Sequence, residues 1–175
     1  QASRDYVADT SRLFAKVHYT GNLAIEIPVN ANTEDFEVND IGQGQIASKL
    51  AIPSKSYKRM KTDQPDLLAT YVNCWLKREP SRRMVRTLDN TVRAFLSDKY
   101  AAWMDNALAL TTAMPVLAKY PEMRFKSLMV TDKRLYLQAV YPNMEAEVKV
   151  GEPVQAGVVI SNSEVGWGSF SVERL

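Results

Sequence analysis

The spacing of apolar and polar residues predicts a strand near the start of the chain, then helices, a hairpin, another helix and several strands. Leu23 to Val29 has an apolar residue at every second position, which is typical of a strand with one buried face. Ser3 to Phe14 has a weakly helical pattern, and Asn30 to Asn39 is polar and typical of a loop. This order of elements predicts an α+β fold with antiparallel sheets, and not alternating β–α–β units.

A helical block is predicted between residues 40 and 78, because apolar residues recur there at helical spacing. Asp40 and Ser54 can cap the starts of the first two helices, and Pro65 suits the first turn of the third. The three predicted helices cover Ile41 to Ala51, Ser54 to Lys61 and Asp66 to Lys77.

The Asp89-Asn90 pair separates two strand-like runs, Arg82 to Leu88 and Thr91 to Leu96. A two-residue Asp/Asn connection predicts a hairpin with a type I′ turn. A further helix is predicted near residues 105–119, and Pro115 should kink or end it. Five more strands are predicted: Arg124 to Val130, Arg134 to Val140, Glu145 to Val150, Gln155 to Ile160 and Ser169 to Leu175.

The length and composition are those of a globular protein. The chain has 175 residues, of which 46% are hydrophobic and 24% charged. This length predicts a single α+β domain over residues 1–175, with residues 1–39 as a candidate peripheral segment. The last residues lie in a strand-like run, so we expect the natural chain to continue past Leu175.

Cysteine content and hydropathy suggest a compartment. Cys74 is the single cysteine, which excludes an intrachain disulfide and fits the reducing cytoplasm. We expect it to be a small buried residue on its helix. The sequence has no apolar run long enough to span a bilayer, so neither a membrane segment nor a membrane partner is expected.

Positive charge is concentrated in one part of the chain. The net charge of +2 is too small to indicate a partner by itself. Half of the 22 basic residues nevertheless lie in about a quarter of the chain: Lys55, Lys58, Arg59, Lys61, Lys77, Arg78, Arg82, Arg83, Arg86, Arg93 and Lys99.

Counting outward from the Asp89-Asn90 turn predicts that Arg86 faces Arg93 and that Met84 faces Phe95. The other side of the hairpin is mostly apolar and is the predicted core face. Two arginines opposite each other destabilise a sheet unless a negative group lies between them. That group can be an internal carboxylate, a phosphate or a small anionic ligand, and the sequence leaves all three open. The internal candidates are Asp89, Asp98 and Asp105.

A second basic cluster lies in the predicted helix from Ser54 to Lys61. Helical spacing brings Lys55, Lys58 and Arg59 near one another. Such a cluster can follow a phosphate backbone, although a solvated charged face explains the same pattern.

The remaining residues give weaker indications of a functional site. His18 has no histidine or cysteine partner at metal-ligand spacing. Asn162 to Gly168 is dense in turn-forming residues and predicts a bulged turn, with an anion-binding backbone cradle as the alternative. We expect no cofactor, no metal and no catalytic residue. A metal-dependent nuclease remains an alternative, and its carboxylates would be Asp89, Asp98, Asp105 and Glu164.

Four blocks of the sequence resemble the phage/plasmid-like family of the domain of unknown function 932. They are Ile46 to Pro53, Arg86 to Leu88, Arg93 to Tyr100 and Gly157 to Gly166. The resemblance covers roughly residues 40 to 175 and implies a phage, prophage or plasmid protein in a bacterial host cell. It implies no established activity and no catalytic residues. The arginine-rich hairpin and the Asn162 to Gly168 turn coincide with these blocks.

The leading hypothesis is a non-enzymatic nucleic-acid-binding protein of a mobile element, with single-stranded DNA as the favoured partner and a role in replication or recombination. One alternative is an assembly protein, without nucleic-acid affinity, that binds an acidic partner or a second copy of itself. The candidate contacts are Arg82, Arg86, Arg93 and Lys99 for phosphates, Phe95 and Tyr100 for base stacking, and Lys55, Lys58 and Arg59 for an extended track.

Overall fold

The computed structural model describes residues 3–100, 104–149 and 152–175. The chain divides into two compact units, residues 1–101 (unit 1) and residues 102–175 (unit 2). The fold class is α+β, with four helices, a mixed six-stranded sheet and an antiparallel four-stranded sheet among the described residues. The expectation of a single domain stays a prediction.

Unit 1 contains the six-stranded sheet, in the order β1-β5-β6-β4-β3-β2. All neighbouring strands are antiparallel except β4 and β6, which are parallel. The strands are β1 (Ser3–Asp9), β2 (Phe14–Val17), β3 (Leu23–Val29), β4 (Asn32–Val38), β5 (Arg82–Leu88) and β6 (Thr91–Ser97).

Three helices cover one face of this sheet and close its core: α1 (Asp40–Lys49), α2 (Ser54–Asp63) and α3 (Pro65–Arg78). Helix α1 packs on β6 and α3 packs on β2. Ile25, Val72 and Val85 are fully buried in this core. The predicted helical block is confirmed, and Pro65 is in the first turn of α3 as expected. The N-cap of α1 is Asn39 instead of Asp40, because the Asn39 side chain accepts the hydrogen bond from the Gly42 amide.

The first 38 residues differ most from expectation. Ser3 to Phe14 is not helical: it contains β1 and the first residue of β2, and a short 3-10 turn separates these two strands. The predicted loop from Asn30 to Asn39 contains β4. Seven residue pairs join β1 to β5, so pairing with a distant strand outweighs a weak local helical tendency. Within β4 only Phe36 and Val38 are buried, which explains its polar composition. The candidate peripheral segment supplies four of the six strands and belongs to the core of unit 1.

The described residues of unit 2 form one helix and the antiparallel sheet, in the order β10-β9-β8-β7. The helix packs on the sheet through Ala113, Leu117, Leu137, Ala139 and Ile160. Pro115 lies within the helix, which ends two residues later. The two strands predicted around Pro142-Asn143 form one strand. The elements are α4 (Asn106–Leu117), β7 (Arg124–Val130), β8 (Leu135–Lys149), β9 (Glu152–Asn162) and β10 (Ser171–Arg174).

None of the helices in the described part of the chain is long and apolar enough to cross a membrane. Cys74 is exposed on α3, contrary to the expectation that it is buried. Its neighbours Val72 and Leu76 occupy the buried face of the same helix, so helical periodicity turns the intervening position outward.

Candidate functional site

The Arg86 side chain is satisfied inside unit 1 by Asp5. Nε and Nη2 of Arg86 donate to the two Asp5 carboxylate oxygens at 3.1 and 2.9 Å. The two residues are directly opposite each other on β5 and β1. The Arg86 and Asp5 side chains are only 4% and 8% exposed. The counter-charge is therefore an internal carboxylate, and it is none of the three acids that the sequence proposed.

The predicted register of the hairpin is wrong beyond its first two pairs. Leu88 faces Thr91 as expected, but a β-bulge then inserts Arg93, so that Arg86 faces Ala94 and Val85 faces Phe95. A bulge adds one residue to one strand and reverses the inward and outward alternation beyond it. Of the two turn residues only Asp89 has a positive φ, whereas a type I′ turn needs both.

This shift changes which hairpin side chains can reach a ligand. Phe95 is 3% exposed and packs in the core with Val85, so its ring is not available for stacking. Arg86 is 3% exposed as a whole residue and is equally inaccessible. Arg93 is half-buried. Three of the predicted contact residues in the hairpin and just after it are exposed: Arg82, Lys99 and Tyr100.

The second predicted cluster is open to solvent. Lys55, Lys58 and Arg59 all lie on α2 and are exposed. Arg59 forms an exposed ion pair with Asp63 one turn later, at 3.6 Å. Such a surface pair contributes little, because solvent screens both charges. The α2 side chains therefore present positive charge that a ligand can contact without first disrupting a buried interaction.

A groove runs between α1 and α2 and encloses a cavity of about 510 Å³. Each helix contributes one face, because the lining residues recur three and four positions apart along it. From α1 these residues are Asp40, Gln43, Gly44, Ala47 and Ser48, and from α2 they are Ser54, Tyr57, Lys58 and Lys61. Ile52, in the connection between the helices, completes the lining.

Two buried polar side chains lie in this groove. Gln43 donates from Nε2 to the Val38 carbonyl at 2.7 Å, and Tyr57 donates from its hydroxyl to Gln43 Oε1 at 3.4 Å. Both residues are about 5% exposed or less. Burial, with a smaller contribution from the Asp40 charge, raises the pKa of the Tyr57 hydroxyl well above its ordinary value. Tyr57 is therefore a neutral hydrogen-bonding group here and has no role as a base.

An ion pair crosses the groove. Lys61 Nζ lies 3.1 Å from Asp40 Oδ1, with the Lys61 side chain 29% and the Asp40 side chain 93% exposed. A second cavity of about 360 Å³ shares Asp40, Gln43 and Lys61 with the first and continues toward β3 and β4 through Asn22 and Glu37. The groove thus contains lysines, a carboxylate and neutral hydrogen-bonding groups side by side.

The sequence contained the signal for this groove, but only Lys58 of its lining was in the predicted set. The spacing that identifies each lining face is visible in the sequence, since Ser54, Tyr57, Lys58 and Lys61 share one face of a helix. What the sequence does not show is that this face of α2 lies opposite a similarly spaced face of α1.

The Asn162 to Gly168 turn of unit 2 forms an internal hydrogen-bond network. Asn162 Nδ2 donates to the Met104 carbonyl and to Asn106 Oδ1 at 2.8 and 2.9 Å. Glu164 Oε1 accepts the Asn106 amide at 2.6 Å, at the first residue of α4. Ser163 Oγ accepts the Trp167 amide at 2.9 Å. The Trp167 amide is therefore occupied by Ser163, which disfavours the anion-cradle alternative.

Two of the carboxylates proposed for a nuclease are in unit 1, and the other two are at the start of α4 in unit 2. Asp89 is in the β5–β6 turn and Asp98 follows β6, whereas Asp105 is the N-cap of α4 and Glu164 is bonded at the same helix start. Among the described residues, no three of His, Cys, Asp or Glu lie close enough together to hold a metal ion. His18 Nδ1 lies 3.0 Å from the Thr20 hydroxyl and 3.6 Å from Glu37.

Comparison of the chain with family models, curated proteins and solved structures finds no match in any of the three. The resemblance to the domain of unknown function 932 family therefore stays a prediction.

Proposed function

We propose that this protein binds single-stranded nucleic acid through unit 1, with the phosphate backbone along α2 and the α1–α2 groove. The observation that carries the proposal is the groove itself, in which Lys58 and Lys61 lie beside Gln43 and Tyr57. Lysines attract phosphate, and buried neutral donors and acceptors can bond to a base or a sugar.

The exposed basic side chains of α2 extend this surface. Lys55 and Arg59 are adjacent to Lys58 at helical spacing, so their charges can meet successive phosphates. Each phosphate that a lysine neutralises releases condensed counterions, which makes such binding weaken steeply with salt. Arg82, Arg93, Lys99 and Tyr100 stay candidates for further contacts, whereas Arg86 and Phe95 do not because both are buried.

The test is fluorescence anisotropy of a labelled 20-nucleotide single-stranded DNA, titrated at several salt concentrations. We expect binding at micromolar protein, with a log–log salt slope that becomes shallower by about 0.7 for each phosphate contact removed. Lys58→Gln should produce that change. Lys77→Gln is the matched control, since Lys77 is an exposed lysine on α3 and outside the groove. Absence of salt-sensitive binding by the unmodified protein would disprove the proposal.

A second variant tests the direction of the charge effect. Asp40 contributes a negative charge to the groove and is ion-paired with Lys61. Asp40→Asn removes that charge and leaves Lys61 available to a phosphate, so affinity for DNA should rise while the affinity of Lys58→Gln falls. An unchanged affinity in both variants would place the strand elsewhere on the protein.

A second candidate function is protein assembly, which the surface of unit 2 favours. The edge strand β7 is exposed along its whole length, and Phe125, Leu128, Met129 and Val130 are each more than half exposed. Exposed apolar side chains on an unpaired edge strand often mark an interaction site. A second copy of this chain is the partner to test first, by multi-angle light scattering over a range of concentrations. Leu128→Lys should shift the protein to monomer if this surface is the interface.

A further inference from the structure

We propose that the α1–α2 groove receives one unpaired base of the bound strand, and that it is not merely a track for phosphates. The inference rests on the proposed function, because it assigns the part of the nucleic acid that enters the groove. The base would contact the α1 residues that line the cavity and Ile52, whereas the lysines of α2 would contact phosphates.

The size and lining of the cavity suit a flat, partly apolar group. Its volume of about 510 Å³ is within the range of roughly 300–1,000 Å³ that is usual for small-molecule sites. Ala47 and Ile52, each 6% exposed, provide apolar surface for a ring. A phosphate has no apolar face, so this part of the groove matches a base better than it matches the backbone.

Gln43 provides hydrogen bonds for the edge of a base. A glutamine amide offers two N–H groups and two carbonyl lone pairs. The bonds described above use one N–H, to the Val38 carbonyl, and one lone pair, from the Tyr57 hydroxyl. Each side of the amide thus keeps capacity for a ligand, and paired donor and acceptor groups of this kind are how glutamine contacts base edges.

Lys58 and Lys61 line the same cavity, so the phosphates that flank an inserted base have cations close by. The bases of a duplex are stacked and paired, whereas those of a single strand can be splayed into a protein pocket. The arrangement of a neutral, partly apolar cavity beside lysines therefore selects a single strand over a duplex.

Gly44 allows a decisive test, because it lines the cavity on α1 and a Cβ atom added there would meet open space. Gly44→Leu places a branched side chain in the cavity without changing any charge. It also replaces glycine within a helix, which favours folding. Gly44→Ala is the matched control, since it makes the same helical change and fills little of the cavity.

The experiment compares a 20-nucleotide single strand that carries bases with an abasic strand of the same length and charge. Anisotropy is measured for the unmodified protein, Gly44→Leu and Gly44→Ala. We expect the unmodified protein and Gly44→Ala to prefer the base-bearing strand by about tenfold, as contact with one base provides. Gly44→Leu should lose most of that preference and keep its affinity for the abasic strand.

Two results would overturn the inference and leave the proposed function intact. One is equal affinity of the unmodified protein for both strands, and the other is a preference that survives in Gly44→Leu. Failure of the unmodified protein to bind either strand would instead disprove the proposed function, and with it this inference.

Discussion

The Arg86 guanidinium and the Asp5 carboxylate form a two-point ion pair between neighbouring strands, with both side chains almost entirely removed from solvent. This pair ties β1 to the arginine-rich hairpin. It also supplies the negative charge for Arg86, the hairpin arginine that is buried. The arginine at the centre of the sequence-based hypothesis is therefore buried against an internal carboxylate and is not accessible to a ligand.

Asp5→Ala should lower the free energy of unfolding by about 3 kcal/mol or more, because it leaves the Arg86 charge buried without this carboxylate. Urea denaturation followed by circular dichroism measures the change. The double variant Asp5→Leu with Arg86→Met removes both charges and should be more stable than Asp5→Ala alone. A single variant within about 0.5 kcal/mol of the unmodified protein would contradict the structural role of the pair.

Two glycines of α1 should respond in opposite directions to the same substitution. A Cβ atom at Gly42 would lie 2.8 Å from Val38 Cγ1 and 3.2 Å from the Val92 carbonyl oxygen, whereas one at Gly44 would meet no atom within 4 Å. Gly42→Ala should therefore destabilise unit 1. Gly44→Ala should stabilise it by about 0.5–1 kcal/mol through helix propensity. Thermal unfolding of the two variants checks both signs, and a shift in the same direction for both would refute the packing described for α1.

Replacing Ala51 with glycine should increase the stability of unit 1. Ala51 has a φ of 53° just beyond the C-terminus of α1, where the Ile52 amide bonds back to the Ala47 carbonyl at 2.9 Å. Left-handed backbone costs a residue with a Cβ atom about 1 kcal/mol, which glycine avoids. Ala51→Gly should raise the thermal midpoint. Asn30 has a similar φ of 55°, but asparagine tolerates this geometry, so Asn30→Gly should have the smaller effect.

Tyr57→Phe should reduce the loss of stability at high pH. An unfolded tyrosine loses its proton near pH 10, but burial raises the pKa of the folded Tyr57 hydroxyl, so the unfolded state holds fewer protons there. Stability then falls as the pH rises above about 10. Hydrogen bonds to Asp35 and Glu26 raise the pKa of Lys16, which acts in the same direction in both proteins. The difference between urea midpoints, measured from about pH 8 to 11, isolates Tyr57; parallel curves would argue against its burial.

Asn162→Ala should destabilise unit 2 by about 2 kcal/mol, because the buried Asn162 amide no longer donates to the half-buried Met104 carbonyl. Ser127→Ala is a suitable control, since it removes an exposed hydrogen bond to Gln138 in the same unit and should change stability by less than about 0.5 kcal/mol. Hydrogen exchange along α4 provides the readout. Equal protection of α4 in the two variants would count against the structural role of this turn.

Sequence reasoning located most elements because their patterns are local. Leu23–Val29, Arg82–Leu88 and Arg124–Val130 have the predicted bounds, and α1 to α4 lie within a few residues of theirs. It failed where local preference was weak and a distant partner decided the outcome. β1 is the clearest case, since β5 provides its hydrogen bonds from about eighty residues away.

The features of the candidate site likewise depend partly on local sequence and partly on tertiary structure. The sequence by itself determined that α2 presents a basic face, because helical spacing alone places Lys55, Lys58 and Arg59 together. Only the tertiary structure decided which arginines are accessible. Counting residues outward from the turn does not reveal the bulge at Arg93, which changes the register of the hairpin. The Asp5 partner of Arg86 belongs to a strand that was not predicted. The groove likewise exists only because one face of α1 lies opposite one face of α2, and the packing of the two helices decides which faces meet.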